Sequence, residues 1–408
     1  MKFYTRFLSL LMAGVLVVSL AGCGTGGTAD ESAAPTVTPS AEPSPEPSLS
    51  PTDSPEMSTG ILPADFVPDT SVEDLCQAIF GVPGTFELFT VNGNPVSAYS
   101  FLYWLSSSGY ELESSLASYG LTLDWTLDPA LSDMLKDAAQ DSAVRYAIVN
   151  QKAQELGYQM TQEQIDELDA NFALLFESVG GADVFKEELR KSGIDYDTYY
   201  TLQTTNYHFS LLYKGLFSDH PTDAEINAYI EEDDLLRAKH ILLSNSNAAT
   251  GEALDETAVA EKKATAEQLL SQLQSSTDLL TDFDTLMAEY SEDPGSISNP
   301  DGYTFTAGDM VTEFEEATRA LEYGQISGIV ESPYGYHIIL RLDPNTEELR
   351  NTYRSAMMSN QLATWSTEAQ IVLTEEYEAL DAALCYEKYI AYLQAFAAEA
   401  SAEDQTNS

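Results

Sequence analysis

Four histidines and three cysteines are the scarce reactive side chains of this 408-residue chain, and their surroundings decide what each can do. His240 stands in Ala238-Lys239-His240-Ile241-Leu242-Leu243, and His337 in Tyr334-Gly335-Tyr336-His337-Ile338-Ile339. Both runs read as strands. A lone histidine on a strand is by default a satisfied structural group, although imidazole is also the side chain that ordinarily titrates near neutral pH. Asp293 lies in Asp293-Pro294-Gly295, where an aspartate suits a turn. Met310 and Phe314 are core residues by default. His208 and His220 fall in no motif. Cys23, Cys76 and Cys385 have no metal-ligand spacing, so no metal site is expected.

The two histidine runs belong to a series. Between them come Glu289-Tyr290-Ser291-Glu292-Asp293-Pro294-Gly295-Ser296, then Ala307-Gly308-Asp309-Met310-Val311 leading into Glu313-Phe314-Glu315-Glu316-Ala317, then Gly324-Gln325-Ile326-Ser327. Ser332-Pro333 precedes the second histidine run. In this order the segments resemble the parvulin family of peptidyl-prolyl isomerases, over about a quarter of the chain. The reaction twists a peptide bond whose barrier is about 18–20 kcal/mol. No bond to the substrate and no metal or cofactor is needed. What is needed is an apolar pocket for the proline ring and polar groups that fit the twisted amide better than the planar one.

The resemblance implies that Met310 and Phe314 line that pocket, with Tyr334 at the substrate. It implies that His240 and His337 pair on neighbouring central strands. Asp293 stands where relatives carry cysteine or aspartate, and an acid there can fix the histidine tautomers. Two departures leave catalytic efficiency open. A Gly-Gly-x-Leu-Gly stretch common in relatives is replaced by Asn299-Pro300-Asp301-Gly302-Tyr303-Thr304-Phe305, so the leucine of the pocket wall is missing or replaced. Tyr334 stands where some relatives have a small hydroxyl residue. Residues 244–252 carry no basic side chain, so a phosphorylated substrate finds no partner there.

The elements that must position these residues read as an α+β unit. A strand over 237–243 opens it and one over 335–342 closes it. Helices over 257–274, 283–290 and 313–321 lie between. Phe86–Val91 reads as a strand before an Asn92-Gly93-Asn94-Pro95 turn. Helical signals then dominate to about residue 232, with a helix over 129–156 and capping boxes at Thr161–Gln164 and Thr222–Glu225. From Thr346 to about Ala400 the chain reads as helix again.

Composition sets the rest. The hydrophobic fraction of 44% allows normal cores, while 66 acidic and 18 basic residues give a net charge of −48. Nucleic acid and anionic headgroups would repel such a chain, so neither is an expected partner. Lys2 and Arg6 precede an apolar run over 7–20 that is short for a membrane span of about 20 residues. It ends in Leu20-Ala21-Gly22-Cys23, which resembles the lipobox of bacterial lipoproteins and implies a lipid anchor on Cys23. The Ser-, Thr- and Pro-rich stretch that follows cannot form a core and reads as a semi-stiff tether.

The expected organisation is a signal peptide over 1–22, a tether over 23–65 and a mainly helical chaperone region over 66–235. A parvulin domain over 236–344 follows, then a C-terminal helical region over 345–400 and a frayed tail over 401–408. This layout resembles that of PrsA-type foldase lipoproteins and their periplasmic SurA-type relatives. There the helical segments on either side of the isomerase join as one chaperone lobe. The resemblance implies a lipid-anchored isomerase and chaperone outside the cytoplasmic membrane, acting on unfolded or partly folded exported proteins with X–Pro bonds. A holdase with a catalytically weak parvulin domain and a structural surface lipoprotein are the alternatives. The same layout would bring Cys76 near Cys385, where a disulfide or two buried thiols are both compatible with export.

Overall fold

The computed structural model describes residues 61–406 except 64, 248 and 249. The signal segment, Cys23 and the tether up to residue 60 lie outside the described residues. The strands are β1 (Glu87–Val91), β2 (Asn94–Ser97), β3 (Leu236–Ser244), β4 (Tyr303–Phe305), β5 (Val330–Ser332), β6 (Gly335–Leu342) and β7 (Ile371–Leu373). The described residues fall into two compact units. One holds those up to Ser218 and those from Met358 onward, the other Asp219–Met357.

In the first unit, β1 and β2 form a hairpin across Asn92 and Gly93, whose φ angles are 52° and 83°. Asn-Gly suits this turn because both residues tolerate the left-handed region. Ser97 then caps helix Ala98–Ser118 by accepting from the Ser100 N–H. Helices Ala130–Leu156, Gln162–Val179, Ala182–Lys191 and Tyr196–Phe217 follow, and the Thr161–Gln164 capping box is formed.

The C-terminal stretch is not one helix. Helix Glu347–Glu368 stops, and β7 pairs antiparallel with β1 through Phe89↔Leu373, Thr90↔Val372 and Val91↔Ile371. The resulting sheet runs β2-β1-β7, so segments about 280 residues apart in sequence share one ladder. Tyr377 follows β7 and is buried against Phe89 and Phe101, with ring centroids 5.1 and 5.2 Å away. Helix Ala382–Thr406 adds Cys385, Tyr386, Tyr389, Tyr392 and Phe396 to the same core. The Tyr386 ring lies so close to Gly109 that a Cβ there would meet it at 2.4 Å.

Cys76 and Cys385 both enter this core, yet no disulfide joins them. The Cys76 sulfur lies 3.9 Å from the Gly193 carbonyl oxygen, and the Cys385 sulfur 3.9 Å from that of Ile79. Burial pushes both thiols up, Cys385 to about 12, so they behave as inert apolar side chains.

The second unit is built on an antiparallel sheet in the order β4-β3-β6-β5. Its two faces do different work. Ile241 and Leu243 of β3 and Tyr336, Ile338 and Leu340 of β6 point to one side. There they pack on helices Glu256–Gln274 and Leu279–Tyr290 through Leu269, Leu273 and Phe283. Each such aliphatic residue contributes about 1.5–3 kcal/mol by burial. The opposite face carries Ala238 and Ile339, packed with Phe305 and with Phe314 of helix Thr312–Arg319. The strand period of two puts His240 and His337 on this second face.

Candidate active site

Register brings the histidines together. Leu242 pairs with His337, and His240 with Ile339, so the two imidazoles are diagonal neighbours on one face. Their Nδ1 atoms are 2.9 Å apart, and their ring planes differ by 10°. Both side chains are buried, at 8% and 3% exposure.

Asp293 arrives from the loop after helix Leu279–Tyr290. β4 covers only residues 236–238 of β3, which leaves the far half of that edge open. The loop docks there. The Glu292 N–H donates to the Leu242 carbonyl at 2.8 Å, and the Leu242 N–H donates to Ser291 Oγ at 3.2 Å. The Glu292 carboxylate accepts the Ser244 N–H at 2.8 Å and is paired with Lys262. Asp293 Oδ2 then lies 2.8 Å from His240 Nε2, and its Oδ1 accepts the Gly295 N–H at 3.1 Å.

Two further groups complete the chain, and neither was a sequence candidate. The Tyr303 hydroxyl donates to Asp293 Oδ2 at 2.6 Å. Ser332 Oγ lies 2.7 Å from His337 Nε2 and accepts the Tyr334 N–H at 3.1 Å. A small hydroxyl thus stands beside the second histidine, two residues before Tyr334. The Tyr334 ring itself is 51% exposed beside the β5–β6 turn. Ser332 had a cue in its hydroxyl type near the second histidine, whereas Tyr303 had none, because its contact crosses from β4 to a loop.

The hydrogens follow from the partners. A carboxylate only accepts, so the form of His240 that carries one proton presents Nε2–H to Asp293 and accepts at Nδ1 from His337. His337 then presents Nδ1–H, and its bare Nε2 accepts from Ser332. Every hydrogen bond points toward Asp293. Burial, and then the neighbouring His240, lower His337 to about 4, so it is neutral at physiological pH. Burial alone would raise Asp293, but hydrogen bonds from His240 and Tyr303 outweigh it and hold the acid at about 2. Burial and the Asp293 charge push Tyr303 strongly upward, so its proton stays on. Among the described residues no group of three or more His, Cys, Asp or Glu side chains is placed to hold a metal.

The His337 shift carries a stability prediction. Its unfolded-chain value is near 6.5 and its folded value about 4, so in that window the unfolded state binds more protons. Stability should fall as pH drops from 6.5 to 4, by up to roughly 3 kcal/mol. Denaturant melts of the second unit across that range should show the loss, and His337→Gln should flatten the slope. Equal slopes in both proteins would contradict it, since relief of the general negative charge acts on both alike.

The apolar half of the site lies against the histidines. The Phe314 ring meets His240 edge-on at 5.1 Å, His337 at 5.7 Å and Phe305 at 5.8 Å. Met310 packs in the same cluster. Its loop is held because Asp309 accepts the Thr306 N–H at 2.8 Å and Glu315 accepts the Gly308 N–H at 2.9 Å. Phe305 is buried in this cluster beside Phe314.

Residues 240–343 match the Rotamase family, described as a PPIC-type PPIASE domain. The chain is 38% identical to the foldase protein PrsA of Halalkalibacterium halodurans over 144 residues, which is 34% of this chain and 37% of that one. It is 28% identical over 271 residues to the PrsA of Caldanaerobacter subterraneus subsp. tengcongensis, covering 63% of this chain and 72% of the relative. The crystal structure of PrsA from Bacillus subtilis aligns with 22% identity and a TM-score of 0.24, over 58% of this chain and 83% of that one. The chain thus spans well under half the length of the first of these relatives. Residues 240–343 are a rotamase domain of the PPIC type, carried in a chain similar to the PrsA foldases.

Proposed function

We propose that this chain is a foldase that speeds cis–trans isomerisation of X–Pro bonds in unfolded exported proteins. The observation that carries the reading is the Asp293–His240–His337 chain lying against Phe314. The substrate proline ring sits on Phe314 and Met310, which exclude water. The imidazoles, oriented by Asp293 and Ser332, present fixed dipoles to the amide. As the bond twists, its nitrogen gains basicity and its carbonyl turns, and a preorganised environment favours that state over either planar one. No covalent bond forms. Tyr334 stands exposed at the rim as the substrate's contact outside the pocket.

The first unit serves as the holding lobe for such clients, its strongly acidic chain keeping the complex soluble. Uncatalysed isomerisation takes tens to hundreds of seconds, so holding and isomerising on one chain raises the effective concentration of the reacting bond. Against a purely binding protein, Phe305 lies beside Phe314 and the Ser332 hydroxyl beside His337. The deciding experiment is a proline-peptide isomerisation assay on the intact chain. A rate no faster than the uncatalysed one, with suppressed aggregation of an unfolded client, would overturn the enzyme reading in favour of a holdase.

The site of action proposed is the outer face of the cytoplasmic membrane, with Cys23 as the lipid attachment. Among the described residues no helix is long and apolar enough to cross a membrane. Cys23→Ala should release the protein from membranes or leave an unprocessed precursor, seen by fractionation and intact mass. A variant still carrying lipid would contradict the anchor.

A further inference from the structure

The isomerase reading employs Phe314, Met310, the histidines and Asp293, and it leaves the hydroxyl of Tyr303 without a task. We propose that Tyr303 is the positioning residue of this site: it holds the Asp293 carboxylate as a pure acceptor and thereby sets the tautomers of both histidines. This rests on the isomerase reading only where a rate is measured.

The geometry is specific. Tyr303 pairs with Ala238 across β4 and β3, and Ala238 shares a sheet face with His240 two residues on. The Tyr303 ring meets His240 edge-on, with centroids 5.8 Å apart and planes at 78°. Its hydroxyl reaches the same carboxylate oxygen that His240 Nε2 meets, at 2.6 and 2.8 Å respectively. The space for that hydroxyl is left by Gly295. A Cβ on Gly295 would lie 2.3 Å from the Tyr303 oxygen. The Gly295 N–H meanwhile donates to the other carboxylate oxygen. Both oxygens of Asp293 are therefore met by donors.

That arrangement decides between two states of the whole chain. With Asp293 ionised, each hydrogen bond runs from Ser332 through the histidines toward the carboxylate. With Asp293 protonated, its O–H would donate to His240 Nε2. His240 would then turn an N–H toward His337, and His337 an N–H toward Ser332, which already accepts from Tyr334. The Tyr303 hydroxyl opposes this reversal because it adds a donor at the oxygen that would carry the proton. The ionisable groups around the carboxylate are His240 from β3, Tyr303 from β4 and, through His240, His337 from β6. Lys262, from helix Glu256–Gln274, is paired with Glu292 instead.

Tyr303→Phe keeps the ring and removes the hydroxyl. In the folded variant the Asp293 carboxyl should titrate at higher pH, and nitrogen-15 spectra should show His240 leaving its single Nε2–H tautomer at correspondingly higher pH on acidification. The acid limb of kcat/KM should move up with it. The rate near neutral pH should fall about tenfold, the scale of one hydrogen bond to a charged group. Gly295→Ala crowds the hydroxyl from the other side and should produce the same tautomer change with the tyrosine present. The double variant should be no worse than the more impaired single one. A folded Tyr303→Phe protein with wild-type His240 spectra and Asp293 titration overturns the proposal. Should that variant not fold, unchanged spectra in Gly295→Ala overturn it equally. If the wild-type chain shows no isomerase activity, the functional reading falls, while the spectra still decide the role of Tyr303.

Discussion

Phe314→Ala should reduce X–Pro isomerisation by roughly a hundredfold and weaken binding of proline peptides, the largest catalytic loss of any single substitution in the pocket. The ring is 3% exposed and touches both histidines and Phe305. Its removal opens a cavity beside the imidazoles, which water can enter and in which the proline ring is no longer held. Truncating a buried phenylalanine costs about 3–5 kcal/mol, so some of the effect will appear as lost stability of the second unit. A melting curve separates the two effects. His240→Ala should lower turnover only partly, because in the proposed mechanism the histidine orients dipoles and transfers no proton. A folded Phe314→Ala protein with unchanged rate and affinity would remove Phe314 from the pocket. Complete loss of rate in a folded His240→Ala protein would assign that imidazole a direct chemical part.

Tyr377→Ala should destabilise the first unit by about 3–5 kcal/mol while leaving peptide isomerisation unchanged. Tyr377 is 2% exposed. Its ring packs on Phe89 and Phe101, and its hydroxyl donates to Gln140 Oε1 at 2.7 Å. Lys136 Nζ lies 4.8 Å from the ring centroid. One side chain thus joins the segment after β7 to β1 and to helices Ala98–Ser118 and Ala130–Leu156. Its loss leaves a cavity and an unpaired Gln140 oxygen together. Calorimetry should show the transition of the first unit shifted down and that of the second in place. A single unshifted transition, or equal loss in both, would contradict this assignment.

The site was legible in the sequence where chemistry and local pattern coincide. His240 and His337 lie on runs whose alternation marks them as strands, and Asp293, Met310 and Phe314 were expected from motif resemblance. The geometry places all five around one face of the β3–β6 pair. Helix limits were also legible where local hydrogen bonding sets them. Both capping boxes formed, because a Thr side chain and a Gln or Glu three residues on satisfy the first free N–H groups without help from the rest of the fold.

Contacts between distant segments were decided only by the tertiary structure. β7 is three residues long, too short for any periodicity, and becomes a strand because β1 offers it an edge. Cys76 and Cys385 were expected near each other and share one core, yet helix geometry turns each sulfur toward a different carbonyl. Tyr303 and Ser332 joined the site without being candidates, because a hydroxyl's partner is fixed by strand register and loop docking. The amino-acid order therefore determined the periodic elements, their caps and the residues able to do the chemistry. Folding decided which hydroxyl meets which acid and which rings pack together. Those contacts span tens to hundreds of residues, and no local propensity encodes them.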